Sequence, residues 1–340
     1  MAGPAALRSS TPAMGADWTD KAYMIELHVQ KCPGLSREVF VSTHPAYSIA
    51  LDGYVATEPF LEILPTGPYR NFNHHEVVDR SCTTATCEQA RRGVLLGLYD
   101  LFRERGRRRA TLWVNDCDQD VCLSTWILLN PDRAAEPLVR VLASIEDLLD
   151  MSSGTFPMPH ERDLLAEVRW VFEPYSRVRP RLLQLSAADM RHVIQDVHLR
   201  IDRFTVGRAD KLPLEGEYRR IGGDGEWWLV EVDHTQARER MVAAGVRAAV
   251  EVVGRHENRW TYTVWRRSEY IAWFPVREIL DELCKQERVS GGSGRWGGAD
   301  NVGGSPRPDG SVLSPDVVER VVTEVVKHLD GSPSPCMQRG

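Results

Sequence analysis

The chain has 340 residues, 42% hydrophobic and 26% charged, with a formal net charge of -6. That composition describes a globular protein with enough chain for two domains. It excludes a uniformly basic nucleic-acid binder, and no apolar run reaches the roughly 20 residues of a membrane span.

Residues 1–20, MAGPAALRSSTPAMGADWTD, lack the apolar core of an export signal and read as a disordered tail. The seven cysteines are odd in number, which fits free thiols in a reducing, cytoplasmic compartment. Neither Cys82/Cys87 nor Cys117/Cys122 has the Cys-x-x-Cys spacing of structural zinc motifs.

Residues 22–30 and 38–43 read as strands separated by a turn at Pro33-Gly34. Ile49-Ala50-Leu51 is a short apolar run, and Asp52 follows it where a buried strand would end in a crevice. Asp52-Gly53 is equally a turn-forming pair. Residues 64–71 read as a Pro/Gly loop leading to the polar cluster Asn73-His74-His75-Glu76. Thr83 or Thr84 would cap a helix running to about Glu104, with the basic run Arg103 to Arg109 as its solvated end.

Residues 110–115, ATLWVN, read as an interior strand, and Asp116, Asp118 and Asp120 follow at its carboxyl end. A helix from about Val121 to Leu129 comes next, so the acids occupy a strand-to-helix turn, where α/β proteins place ligands. The helix over 135–149 ends in acids, of which Asp147 or Asp150 either approaches the same centre or is simply exposed. Further helices are expected near 161–172 and 187–204, with His192 and His198 as ordinary surface or core histidines.

Composition shifts near 205–225. A strand over 226–232, a helix over 234–243, a hairpin across RHEN and a helix over 275–287 follow. Trp227, Trp228, Trp260 and Trp265 read as packing groups. Residues 290–311 are glycine-rich, with Arg295, Asn301 and Arg307 interspersed. Glycine lets a backbone approach an anion and arginine offers it a fork, so these three residues are candidate substrate-binding groups. Ser314 and Pro315 begin a last helix with a valine stripe, and residues 331–340 read as a second tail.

The expected fold is α/β. A metal-binding α/β domain with a mainly parallel sheet covers residues 21–205, and a smaller α+β substrate domain covers 206–330. Asp52, His74, His75, Asp116, Asp118 and Asp120 form a ligand set of carboxylates and imidazoles suited to Mn²⁺ or Mg²⁺. His74, His75 and Asp118 are the expected catalytic groups.

The stretch NHHEVVDRSCTTATCEQ resembles the Asp-His-His motif of the DHH phosphoesterases, and VNDCDQDVCLSTWILL resembles the acidic metal motif of that superfamily. The glycine-rich segment is similar to the substrate loop of their C-terminal domain. The resemblance implies hydrolysis of phosphoesters by metal-activated water between two domains, with a phosphorylated small molecule or short nucleic acid as substrate. Three departures accompany it. Asn73 stands where the family has Asp, the acidic motif follows the histidines, and the glycine loop lacks the family's histidine. Other readings accommodate the same residues: a noncatalytic module binding a nucleotide or metal, a metal-dependent hydrolase of a non-phosphate bond, or two purely structural clusters.

Overall fold

The computed structural model describes residues 23–79, 82–158, 162–213, 216–233, 236–307 and 309–330. Both tails expected from the sequence, residues 1–20 and 331–340, lie outside these residues. The fold is α/β, with a mainly parallel first sheet and a second mixed sheet.

The first sheet begins with β1 (Tyr23–Val29). Residues 38–43, expected as a strand, instead lie in helix α1 (Arg37–Thr43). The Ser36 side chain accepts from the Val39 amide at 3.3 Å and caps it, which overrides the β preference of Val39 and Val41. Strand β2 (Ser48–Leu51) is fully buried. Residues 64–71 are not a loop: β3 (Phe60–Leu64) and β4 (Gly67–Phe72) form a hairpin. Pro68 is tolerated because β4 begins pairing with β2 only at Tyr69.

The helix expected to run to Glu104 stops early. Helix α2 (Thr86–Leu95) ends before Gly97, whose φ of 97° breaks the chain, and α3 (Leu98–Leu101) is one short turn. The basic run is then a hairpin rather than a helix end. Strands β5 (Arg103–Glu104) and β6 (Arg107–Val114) pair across Arg105 and Gly106, both at positive φ. Strand β6 lies between β1 and β2, and the sheet order is β1-β6-β2-β4-β3, parallel except for β3.

Helices α4 (Gln119–Leu129), α5 (Pro137–Met151), α6 (Arg162–Val178) and α7 (Ala187–Thr205) follow. Helix α2 packs on α4 and α5, and α7 packs on α4 and β1. Their apolar faces meet Ile49, Leu51, Phe72, Leu112 and Val114 of the sheet in one core.

The second sheet contains β7 (Tyr218–Gly222), β8 (Trp228–Val232), β9 (Ala248–His256), β10 (Arg259–Arg266), β11 (Gly297–Gly298) and β12 (Val302–Gly304). Only β8 and β9 are parallel in it, joined through α8 (Ala237–Ala243). Helices α9 (Val276–Val289) and α10 (Pro315–Asp330) share a core with Ala248, Val250 and Val264, while α8 packs with Ala249 and Trp265. Trp227 and Trp265 are fully buried within these cores.

The two sheets are linked at the end of α5. The Thr155 hydroxyl donates to the Arg267 carbonyl at 2.9 Å. Arg238 donates to the Ser153 carbonyl at 3.4 Å and grips Glu251 with two further bonds of 2.8 and 2.6 Å. Among the described residues, no helix is long and apolar enough to cross a membrane.

Candidate metal centre

The parallel strands β2, β4 and β6 end side by side, so the residues after them meet in space. Asp52 follows β2 with φ 49°, and Gly53 follows with φ 79°. That left-handed turn is held by Asn115, which donates to the Gly53 carbonyl at 3.4 Å and to the Cys32 carbonyl at 3.3 Å. His74 and His75 follow β4, their rings 4.3 Å apart. Asp120 lies in the first turn of α4, and Asp150 in the last turn of α5.

His74 is the centre of the arrangement. Its side chain is fully buried, and Nε2 lies 2.7 Å from Asp150, 3.4 Å from Asp52 and 3.6 Å from Asp120. Neither ring nitrogen has a partner in good hydrogen-bond geometry, although Asp150 and Asp52 act on Nε2 as charge partners. A buried imidazole so placed is costly unless something satisfies it. His75 Nε2 meets Asp52 Oδ1 at 2.8 Å, and the Thr86 hydroxyl donates to the same oxygen at 3.1 Å. Two overlapping groups can hold a divalent cation, Asp52/His74/His75 and His74/Asp120/Asp150, with His74 common to both. The orphaned nitrogens of His74 and the mixed carboxylate/imidazole donors fit such an ion.

Without a cation the electrostatics keep a proton on His74, which a bound ion would displace. Burial opposes ionisation of Asp52, but His74 and His75 outweigh it and hold its carboxyl well below the ordinary range. Burial likewise opposes protonation of His74, but Asp150 and Asp52 outweigh it and push the imidazole up to about 10. Burial, then the Asp52 charge, pushes Asp120 up to about 7. Burial also raises Asp118 and Asp116, with the Asp52 charge adding to both. Carboxylates outnumber the buried cationic group, and a bound cation would relieve that excess.

Not every sequence candidate projects into the two groups. Asp118 caps α4, accepting from the Val121 amide at 2.9 Å, and Asp116 accepts from the Cys117 amide at 2.5 Å. Both stand beside the centre. Asp150, which the sequence left open, belongs to it, whereas Asp147 accepts from the Ala85 amide at 2.6 Å. Thr86 was not anticipated, because its contact with Asp52 arises from packing and not from spacing along the chain.

Asn73 is fully buried and works through its amide. Nδ2 donates to the Thr57 carbonyl at 2.7 Å and to Glu76 at 2.6 Å, and Oδ1 accepts from the His75 amide at 3.1 Å. An aspartate could not make the first of these bonds.

The glycine-rich segment is built into the second sheet. Asn301 accepts from Arg266 at 3.0 Å, while Arg295 and Arg307 are exposed. Several of its glycines are needed for close packing. A Cβ on Gly303 would lie 2.3 Å from Leu280, and one on Gly294 would lie 2.3 Å from Pro306. His198 is a packing group, with Nε2 3.0 Å from both the Thr125 hydroxyl and the Cys122 carbonyl.

No family model matches this chain, and no curated protein or solved structure matches it significantly.

Proposed function

We propose that this protein is a metal-dependent hydrolase of phosphoesters, using Mn²⁺ or Mg²⁺ and acting on a nucleotide or another phosphorylated substrate. The observation that carries the metal is buried His74, whose Nε2 faces three carboxylates without good hydrogen-bond geometry. The likeness of the His-His and triple-Asp stretches to the DHH phosphoesterases supports phosphate as the target. The cation would supply an activated water and offset charge on the phosphoryl oxygens.

The chain's own groups have separable tasks in this reading. Asp52, His74, Asp120 and Asp150 bind the cation. Asp52 also orients His75, whose side chain is 31% exposed and therefore reaches the mouth of the site. With Nε2 held by Asp52, the other ring nitrogen of His75 would give a proton to the leaving oxygen. Arg295, Asn301 and Arg307, on the part of the chain beyond residue 205, would orient the substrate anion. A cytoplasmic setting belongs to the same reading.

The test is metal uptake by chelator-stripped protein, wild type beside His74→Gln, followed by hydrolysis of bis(p-nitrophenyl) phosphate. The expected result is stoichiometric Mn²⁺ in the wild type, its loss in His74→Gln, and Mn²⁺-dependent turnover. Uptake without turnover on any phosphoester leaves a binding module. No uptake of either ion sinks the proposal.

A further inference from the structure

Glu146 lies on α5 one turn before Asp150, so the two carboxylates share a helix face. It is only 2% exposed, and its Oε2 is buried without a hydrogen-bond partner. Most buried carboxylates are paired or accept several amide bonds. Asp120, for comparison, accepts from the amides of Thr86 and Cys87 at 2.7 and 2.6 Å. An arginine grips each of two other buried or nearly buried acids: Glu251 pairs with Arg238, and Glu88 with Arg91 and Arg92.

Glu146 is not among the ligand atoms already gathered around His74, but its charge environment is that centre. The charges that act on Glu146 are, in order, Asp150, Asp120, Asp52 and His74, which are members of the candidate centre. Three of the four are acids, so the protein gives an ionised Glu146 little compensation. Helix packing alone does not call for a carboxyl here, since Val139, Leu142 and Ala143 of α5 already share one apolar core with residues of α2 and α4. A glutamine or methionine would fill the same space without the cost of a buried acid.

We infer that Glu146 is a further ligand of the cation held by His74, Asp120 and Asp150, supplying a fourth donor from the helix face that carries Asp150. This rests on the metal reading above and adds a residue to it. With the cation bound, the orphaned oxygen gains a partner. Without it, burial and the neighbouring acids raise the Glu146 carboxyl well above its ordinary range. The residue therefore costs stability in the cation-free protein and is useful only in the loaded one.

That trade-off gives two readouts of opposite sign. Mn²⁺ titration and thermal melting would be run on the full chain as wild type, Glu146→Gln and Glu146→Met, each with chelator and with Mn²⁺. Without metal, the variants should melt at or above the wild-type temperature. With Mn²⁺, at least one binding equivalent should weaken about tenfold or more, and the melting gain from Mn²⁺ should shrink. A structural acid would give a different pattern. Wild-type affinity and full melting gain in both variants would overturn the assignment of Glu146 while leaving the metal centre intact. A wild type that takes up no Mn²⁺ would instead remove the metal reading itself.

Discussion

His74 and Asp150 meet at 2.7 Å, although one follows a strand of the first sheet and the other ends a helix that runs over toward the second. The last turn of α5 also carries Asp147, which serves α2 instead. Two acids three residues apart on one helix thus have different tasks, and substitution separates them. Asp147→Ala should cost about 1–2 kcal/mol through the lost cap on Ala85 and leave Mn²⁺ content unchanged. Asp150→Ala should weaken Mn²⁺ binding at least tenfold. Calorimetry and metal analysis on the same samples check both.

Asn73 should not be improvable toward a metal ligand. In Asn73→Asp the donor to the Thr57 carbonyl is lost and a second carboxylate faces Glu76. The expected penalty is about 1–3 kcal/mol in urea unfolding, with no gain in Mn²⁺ affinity. Equal stability together with an added Mn²⁺ equivalent would reverse this assignment.

His198 makes part of the stability depend on pH. Burial lowers its pKa to about 4, against the Cys122 carbonyl, which favours the proton. The unfolded chain takes up the proton near 6.5, so between these values the unfolded state binds more protons. The contribution is full above about 6.5 and is lost as pH falls toward 4. Its size is about 3 kcal/mol. Glutamine keeps a donor for the Cys122 carbonyl, so His198→Gln should flatten the pH–stability curve between pH 4 and 6.5 relative to wild type. Identical curve shapes would show that His198 does not titrate in this way.

The Arg238–Glu251 pair should be costly to break and cheap to replace. Arg238→Met leaves Glu251 fully buried with Trp265 Nε1 as its remaining side-chain partner, at 2.7 Å. The expected loss is about 3–5 kcal/mol. Adding Glu251→Gln should recover much of it, which a double-mutant cycle by chemical denaturation would measure. A simple sum of the two single losses would mean that the pair is not a unit.

Much of this architecture is legible in the sequence. The apolar run before Asp52, the strand ending at Val114 and the valine stripe of α10 all carry clear patterns. The errors came where a local signal was ambiguous. Val39 and Val41 suggest a strand, but one serine hydroxyl at Ser36 decides for a helix. Gly67-Pro68 suggests a loop, but a hairpin tolerates it because pairing with β2 starts one residue later. In the candidate centre, His74 and His75 stood out as a polar pair although the strand before them read as a loop, and the strand end carrying Asp52 could be read in advance. The separate places taken by Asp118 and Asp120 could not, because alternate residues at a helix start diverge: one caps its own helix and the other turns toward α2. Asp150 could only be left open, and Glu146 was beyond reach, for a different reason. Their importance depends on how α5 packs, and amphipathic spacing does not report which acids on a helix meet a partner.

The start of α2 has a consequence for this protein's history. Its N-cap residue, Ala85, offers no side-chain acceptor, and the orphan amides of Ala85, Thr86 and Cys87 are satisfied by Asp147 and Asp120 from two other helices. A descendant with no metal at this centre would still lose stability without either acid. Their retention would be poor evidence of a working site. Asp150 and His75 have no comparable role at a helix start, so in a set of related chains they are the residues whose loss would first record a change of occupation.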